Sequence, residues 1–362
     1  MIGPRRMAAA ALAACGLAAI LAPAALATLS TPPGFWGVVP VTAPNSPQLA
    51  RIKQGGVRSI RAPLNWSQVE RAPGVFDWSP FDAVVLPAAK HGIQVLPFLL
   101  SSPRWAAPSG SILPVDTSDQ QEAWAGFLRA AVRRYGTGGE LWLEHRELRP
   151  QPIVTWQIWN EPNHPAFADP PDPARYATLL KQSRRAITSV DSRARILLAG
   201  LYATMSKSRG VYRATAFLAR LFRSGAGKSV RGVAIHSYPA SYLDLASIVA
   251  SVRRVMRRHG ASRMPLWITE LGWSSKPFGE PFGVGPIGQA QKLYEAFGLL
   301  SAGRLSWRIA GVYWFSLTDS DSPYACEFCA GTGLFTTDFR AKPAWRAFVS
   351  FGRERRCRAG RR

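Results

Sequence analysis

The sequence predicts a single (β/α)8 barrel, and three observations support this fold. The chain has 362 residues, of which 47% are hydrophobic, so it can bury a large core, and a disordered or fibrous protein is excluded. Eight apolar runs rich in β-branched and aromatic residues recur along the chain, with patterned helices between them. No Pro/Ser-rich linker divides the series into the two ordinary domains that this length also allows.

The predicted strands are short, and several are almost continuously apolar, as parallel strands covered on both faces are. They are residues 35–42, 57–65, 93–100, 153–159, 195–201, 230–237, 266–269 and 309–315. The clearest helices between them are residues 120–135, 173–190, 243–258 and 288–301. Pro173 near a helix start and Gly260 after a helix end are typical of helix caps. Residues 136–152 are predicted to form the longest irregular insertion.

The amino-terminal residues 1–27 have the pattern of a secretory signal. Arg5 and Arg6 precede an apolar run, and an Ala-Leu-Ala sequence ending at Ala27 fits a cleavage site. A retained membrane anchor and lipoprotein processing at Cys15 are the two alternatives. All three interpretations place the folded part, predicted as residues 28–352, outside the cytoplasm, either secreted or in the cell envelope.

The chain is strongly basic, with 45 Lys and Arg residues against 22 Asp and Glu and a net charge of +23. Most of this charge is spread along the chain as arginine, which favours a basic surface over a dedicated site, although an anionic glycan partner fits the same charge. Residues 353–362 carry six Arg and one Glu and are predicted to be a disordered basic tail. No nucleic-acid-binding motif is present, so no nucleic-acid partner is expected.

Metal and cofactor sites are not predicted. Cys326 and Cys329 could form a zinc half-site or a redox pair, but no second pair of ligands is present, and a short disulfide is favoured in an oxidising compartment. The five histidines show no H-x-H or H-E-x-x-H spacing. The glycine pattern at residues 283–288 contains a proline and does not follow a strand, so no dinucleotide is expected.

Two glutamates end predicted strands, and both are flanked by tryptophan. Glu161 follows the fourth strand and Glu270 ends the seventh. Because parallel strands of a closed barrel carry their functional residues at one rim, these two side chains are expected to face each other. Cleavage of a glycosidic bond needs such a pair: one carboxyl group protonates the leaving oxygen while the other attacks the anomeric carbon.

The sequence around each glutamate resembles a signature of clan A glycoside hydrolases. WNEP at residues 159–162 resembles the strand-four signature of the clan, and ITELGW at residues 268–273 resembles its strand-seven signature. The strings PGVFDW at residues 73–78 and SPRWA at residues 102–106 are similar to family 39 and its relatives, with family 5 a near neighbour. The resemblance extends over most of the chain that follows the signal.

The resemblance implies a retaining mechanism for O-glycosidic bonds, of β type, in an oligo- or polysaccharide. Glu270 is then the nucleophile and Glu161 the general acid/base, with Asn160 in contact with the sugar 2-hydroxyl. Retention predicts that the two carboxyl groups lie about 5–5.5 Å apart. The chain is expected to act as a monomer without metal or organic cofactor.

Four further polar residues are candidates for the same site. Tyr238 could donate a hydrogen bond to Glu270, and His236 could line the same wall, as similar residues do in the clan, although His236 could equally be a satisfied core residue. Arg61 in the second strand could depress the pKa of the nucleophile or serve only in packing. Asn65 at the end of that strand is a weaker candidate for substrate binding.

Tryptophans are candidates for sugar-stacking platforms. Trp314 in the eighth strand holds the position where the clan has an aromatic platform, and Trp105 follows the third strand. Trp36 and Trp273 are further candidates, and packing is the alternative for Trp36, Trp105 and Trp273. Trp66, at the end of the second strand, is a weaker candidate for the site, as Asn65 is.

Two other functions use the same fold. A carbohydrate-binding barrel that has lost catalysis needs only the aromatic residues, which makes it less favoured when both glutamates are present. A transglycosylase would use the same two carboxylates but transfer the sugar to an acceptor other than water.

Overall fold

The structure, a computed structural model, describes residues 31–204, 209–279, 281–321 and 327–352. Within this part, eight parallel strands close into one barrel, in which each barrel strand pairs with the next along the chain and the last pairs with the first. The strands, including a small hairpin formed by β3 and β4, are β1 (Trp36–Val39), β2 (Ser59–Asn65), β3 (Glu70–Ala72), β4 (Val75–Phe76), β5 (Gln94–Leu100), β6 (Thr155–Ile158), β7 (Arg195–Ala203), β8 (Gly232–Ser237), β9 (Leu266–Leu271) and β10 (Ile309–Phe315). The predicted (β/α)8 barrel is confirmed, with all eight strands in their expected places.

Helices follow the barrel strands and cover the outside of the sheet. They are α1 (Ser46–Gln54), α2 (Trp66–Val69), α3 (Ser79–Lys90), α4 (Ser118–Tyr135), α5 (Glu140–Glu144), α6 (Pro173–Val190), α7 (Ala214–Arg223), α8 (Tyr242–Arg258), α9 (Gly285–Gly303) and α10 (Pro343–Gly352). Several begin at strong caps: the Thr117 side chain accepts from the backbone of Gln120 ahead of α4, and the Gln120 side chain completes the capping box.

The prediction for residues 136–152 was wrong in part. This stretch contains α5, whose Leu141 and Trp142 are buried, because even one helical turn with two apolar residues can seal the core. Residues 101–117, which follow β5, contain no helix or strand and form a longer irregular segment.

The barrel interior is divided into layers along its axis. One layer is filled by Val39, Leu96, Leu197 and Ala234 around the ring of Tyr313. This apolar plug fills the interior of the barrel at that level, as layered side chains do in this fold.

The predicted signal (residues 1–27), the basic tail (residues 353–362) and Cys326 lie outside the described residues. Cys329 is disulfide-bonded. In the part of the chain that the structure describes, no helix combines the length and the apolar character needed to cross a membrane.

Candidate active site

The two glutamates meet at the carboxyl end of the barrel. Glu161 follows β6 and Glu270 lies in β9, and they are 7% and 8% exposed. One oxygen of each carboxylate and a ring nitrogen of His236 all lie within 4.8 Å of one another. The expectation that these distant residues converge at one rim therefore agrees with the structure.

The chain turns sharply where it leaves β6. Trp159 and Glu161 have φ angles of 73° and 37°, in the left-handed region that side chains rarely adopt. Two contacts hold this backbone: Trp159 Nε1 donates to the Phe167 carbonyl at 2.7 Å, and Asn163 Nδ2 donates to the Tyr202 carbonyl at 2.9 Å. Strain of this kind persists where the surroundings fix it and is common at functional sites.

Arg61 binds several polar groups of the site at once. It lies in β2, is fully buried, and donates to Gln157 Oε1 and Glu270 Oε1 at 2.7 Å and to Asn160 Oδ1 at 2.9 Å. Its guanidinium also stacks over the ring of Phe98 at 3.8 Å. With its donors committed in three directions, the guanidinium fixes one oxygen of Glu270 and the amide of Asn160 in place.

Glu270 has partners that favour its charged form. Arg61 donates to Oε1, and the Tyr238 hydroxyl donates to Oε2 at 2.5 Å. Burial raises the pKa of Glu270, and the Arg61 charge together with these two hydrogen bonds opposes the rise. Burial and the Glu270 charge raise the pKa of Tyr238 well above its usual value, so its hydroxyl keeps the proton that it donates.

Glu161 lies in a different environment. Burial and the negative charge of Glu270 raise the pKa of Glu161 well above its usual value, and Arg61 offsets only part of this rise. Its Oε1 lies 2.7 Å from Nδ1 of His236. Two neighbouring carboxyl groups whose surroundings separate their pKa values are suited to the roles of acid and nucleophile.

His236 is fully buried between the glutamates and the barrel wall. Its Nδ1 is 3.5 Å from Glu270 Oε2 as well as close to Glu161, and burial together with the Arg61 charge lowers the pKa of His236 well below its usual value. Among the described residues, Nε2 has no hydrogen-bond partner. A Cβ at Gly200 would lie 1.9 Å from that nitrogen, so the neutral ring fits closely against the bare backbone of β7.

Two residues of this site were not singled out from the sequence. Gln157 is fully buried in β6, and its Nε2 donates to the Leu198 carbonyl and to Thr269 Oγ1, both at 3.3 Å, while its Oε1 accepts from Arg61. A lone amide within an apolar strand was the available signal. The sequence carries no signal for Phe98, which lies under the guanidinium, because a phenylalanine in a strand is usually a core residue.

The predicted platform role of Trp314 is wrong. Its ring is fully buried, packs against Trp273 and Phe297, and donates from Nε1 to the Thr332 carbonyl at 2.8 Å. Successive side chains of a strand point to opposite faces, and because Tyr313 points into the barrel, Trp314 points outward to the helices.

The other tryptophan candidates differ in placement. Trp36 stacks on Phe297 at 4.1 Å, and Trp36, Trp66 and Trp273 are all buried, so these three serve packing. Trp105 is half-buried in the segment after β5 and donates from Nε1 to the Glu70 carbonyl at 3.0 Å.

Asn65, at the end of β2, is half-buried and accepts a hydrogen bond from Ser67 at 2.8 Å. Asn65 and Trp105 stay predictions as substrate contacts.

A divalent cation could in principle be held by Glu161, His236 and Glu270, whose ligand atoms are close together. However, both oxygens of Glu270 already accept hydrogen bonds, from Arg61 and from Tyr238. A cation there would also lie beside a buried guanidinium, and the two positive charges would repel each other. The donor set therefore fits proton transfer and nucleophilic attack by the carboxyl groups better than metal binding.

Comparison of the sequence with protein-family models and with curated proteins finds no match. Solved structures do share the fold. A family 39 glycoside hydrolase from Bacteroides cellulosilyticus WH2 shares 22% sequence identity with this chain, and the two structures superpose with a TM-score of 0.68. The alignment covers 88% of this chain and 63% of the hydrolase. This chain therefore spans less than two thirds of the length of the hydrolase.

Two other solved structures are similar at the same level. A monomeric beta-xylosidase from Caulobacter crescentus CB15 is 18% identical with a TM-score of 0.65, covering 88% of this chain and 69% of that one. The GH5_18 protein from Streptomyces cattleya, solved in complex with GlcNAc, is 17% identical and has a TM-score of 0.62. The alignment covers 89% of this chain and 80% of that one. The resemblance to the barrels of clan A, family 39 and family 5 among them, is confirmed for the fold.

Proposed function

We propose that this protein is a retaining glycoside hydrolase that cleaves β-glycosidic bonds in an oligo- or polysaccharide. The observation that carries the proposal is a pair of buried carboxyl groups with oxygens within 4.8 Å, one favoured in its protonated form and one bonded to a guanidinium and a phenol. Retaining enzymes space these groups by about 5–5.5 Å, whereas inverting enzymes need about 6.5–9.5 Å to admit a water. The similar structures named above support the same reaction class.

In the first step, a carboxylate oxygen of Glu270 attacks the anomeric carbon while the bond to the leaving oxygen breaks. Glu161 gives its proton to that oxygen, so the departing group leaves as an alcohol. The product is a glycosyl ester on Glu270. The hydrogen bonds from Arg61 and Tyr238 keep the nucleophile charged and aimed before the attack.

The first step prepares the second because it removes the negative charge of Glu270. The negative charge of Glu270 is one cause of the raised pKa of Glu161, and the ester removes that charge. The pKa of Glu161 therefore falls after the first step, and its carboxylate can take a proton from water. The resulting hydroxyl attacks the anomeric carbon, the ester bond breaks, and Glu270 returns to its charged form.

Asn160 contributes to sugar binding in this proposal. Its Oδ1 accepts from Arg61, which fixes the amide plane and leaves Nδ2 to donate to a sugar hydroxyl. The 2-hydroxyl next to the reacting carbon is the natural partner, because hydrogen bonds there strengthen in the transition state.

Export and a monomeric state belong to the proposal as well. Residues 1–27 would act as the signal, and each chemical step uses only side chains of this chain and water. Amino-terminal sequencing of the protein recovered from its native host would separate cleavage after Ala27 from a retained segment.

The proposal is tested by screening chromogenic β-glycosides and a panel of polysaccharides, with the anomeric form of the first product followed by NMR. We expect hydrolysis with the β-configured product formed first. The Glu270→Gln variant should lose hydrolysis but keep substrate affinity.

Full turnover by Glu270→Gln, or an α-configured first product, would contradict the proposal. Sugar transfer to acceptors that outpaces release to water would identify a transglycosylase instead.

A further inference from the structure

A cavity of about 510 Å³ lies at the amino-terminal end of the barrel, opposite to the two glutamates. Four arginines line it: Arg184 in α6, Arg193 in the following loop, Arg195 at the start of β7 and Arg231 just before β8. Hydroxyl side chains, among them that of Ser229, complete the wall. Three separate segments of the chain thus bring guanidinium groups to one concavity.

The positive charge of this cavity is largely uncompensated. The side chains of Arg195 and Arg231 make no hydrogen bond or ion pair with any residue that the structure describes. Arg184 donates to the Lys228 carbonyl at 3.1 Å, and Arg193 has one carboxylate oxygen, of Asp191, at 3.8 Å. Like charges gathered around one cavity repel one another, and a bound anion would relieve that repulsion.

The helix dipole does not account for this cluster. Basic residues often lie in the last turn of a helix, where they complement its negative end. The last turn of α6 carries none. Arg195 and Arg231 belong to the beginnings of strands, whose dipoles are small.

We propose that this cavity binds a phosphate group. Guanidinium forks match phosphate oxygens in geometry, and a phosphate carries more charge than one carboxylate, so it can satisfy several arginines and a hydroxyl donor together. The site lies at the other end of the barrel from the glutamates, beyond the apolar plug around Tyr313, and does not rest on the proposed glycosidase function.

The phosphate has two possible sources, a free inorganic ion and a phospholipid headgroup. The described residues begin at this same end of the barrel, where Pro32 and Pro33 line a second cavity together with Arg58.

The test compares the full-length protein with two double variants that change net charge equally. Arg195→Gln with Arg231→Gln alters the cavity, and Arg149→Gln with Arg254→Gln alters exposed arginines that do not line it. Titration calorimetry with inorganic phosphate should give one saturable site in the wild type and the control variant. The cavity variant should bind at least about tenfold more weakly, since charge-assisted hydrogen bonds to phosphate are lost.

Sedimentation with phosphatidylcholine vesicles, with and without roughly a third phosphatidylglycerol, identifies the source. If less of the cavity variant than of the control sediments with the vesicles, the site binds a headgroup. If the two variants differ only in their affinity for inorganic phosphate, the site binds the free ion. The proposal is overturned if neither probe binds the cavity variant more weakly than the control. Melting curves check the fold, and the single variants R195Q and R231Q replace the double variant if it melts at a lower temperature.

Discussion

At the scale of single residues, the proposed mechanism depends on two identical carboxyl groups that have different neighbours. Glu270 is bonded to Arg61 and Tyr238, while Glu161 faces the charge of Glu270 and a neutral His236. Burial alone would raise both pKa values. The difference between the partners therefore decides which group holds the proton.

Glu161→Gln should remove the proton donor and lower kcat by about 10²–10⁴-fold on substrates with poor leaving groups. Substrates whose leaving group departs without a proton should be affected much less in the first step. Steady-state kinetics with a series of aryl glycosides measures this dependence. Glu147→Gln, which changes an exposed glutamate outside the site, should leave kcat unchanged.

An equal loss of kcat/KM, which reports the first step, on all aryl glycosides would show that Glu161 supports the structure and does not donate the proton in that step.

Tyr238→Phe should shift the acid limb of the kcat/KM profile to higher pH. The Tyr238 hydroxyl donates to the charged form of Glu270, and losing a donor to the charged form raises the pKa of a carboxyl group. The nucleophile would then already be protonated at pH values closer to neutral, where it can no longer attack. We expect kcat/KM at its optimum to fall about tenfold or more.

If the acid limb does not shift in Tyr238→Phe, the Tyr238 hydroxyl does not influence the ionisation of Glu270.

The residues of the site could be predicted where the chain carries a periodic or positional signal. Glu161 follows one apolar strand and Glu270 lies at the carboxyl end of another, so the barrel alone places them at one rim. Trp314 could not be placed correctly, because it stands among three consecutive aromatic residues and no alternation of polar and apolar residues marks its face. The role of Gln157 depends on a contact with Arg61, 96 positions away, which a single sequence does not reveal.

At the scale of elements, local signals determine where helices begin and packing determines what lies between them. Helix α6 spans the predicted residues, since Asp172 caps it and Pro173 occupies its first turn. Helix α5 was missed because five residues are too few to show helical periodicity, and burial of Leu141 and Trp142 stabilises it instead.

Gly200→Ala tests the close contact between β7 and β8. The added methyl would lie 1.9 Å from His236 Nε2, so the imidazole or the strand must move. We expect unfolding to become easier by about 1–3 kcal/mol, with a loss of activity because the ring also contacts Glu161. Chemical denaturation and kcat measurements report the two effects.

Gly126→Ala is the matched control, because its methyl has room within α4 and replaces a poor helix former, so stability should stay level or rise. Equal stability and activity of Gly200→Ala and the wild type would contradict the described packing.

At the scale of the whole molecule, the barrel separates two polar ends with an apolar plug. The carboxyl end holds the glutamates, and the amino end holds the arginine-lined cavity. The layer around Tyr313 fills the interior between them. This arrangement follows from parallel strands, because all their carboxyl ends, and so all loops that follow them, lie on one side.

The proposed glycosidase activity should follow a bell-shaped pH profile. Protonation of Glu270 lowers kcat/KM on the acid side, and loss of the Glu161 proton lowers it on the alkaline side. Because the pKa of Glu161 is raised well above its usual value, the active range should extend to higher pH than an ordinary glutamic acid would allow. The alkaline limb should vanish in Glu161→Gln, and its persistence there would assign that ionisation to another group.

Mass spectrometry of the enzyme inactivated by a fluoro-sugar glycoside tests the central claim most directly. The fluorine slows both steps, and an activated leaving group lets the glycosyl ester form and accumulate. Peptide mapping should place one sugar on Glu270, and the Glu270→Gln variant should remain unlabelled. A sugar attached to any other residue, or rapid turnover of a competent substrate without a trapped ester, would contradict the double displacement at this pair of glutamates.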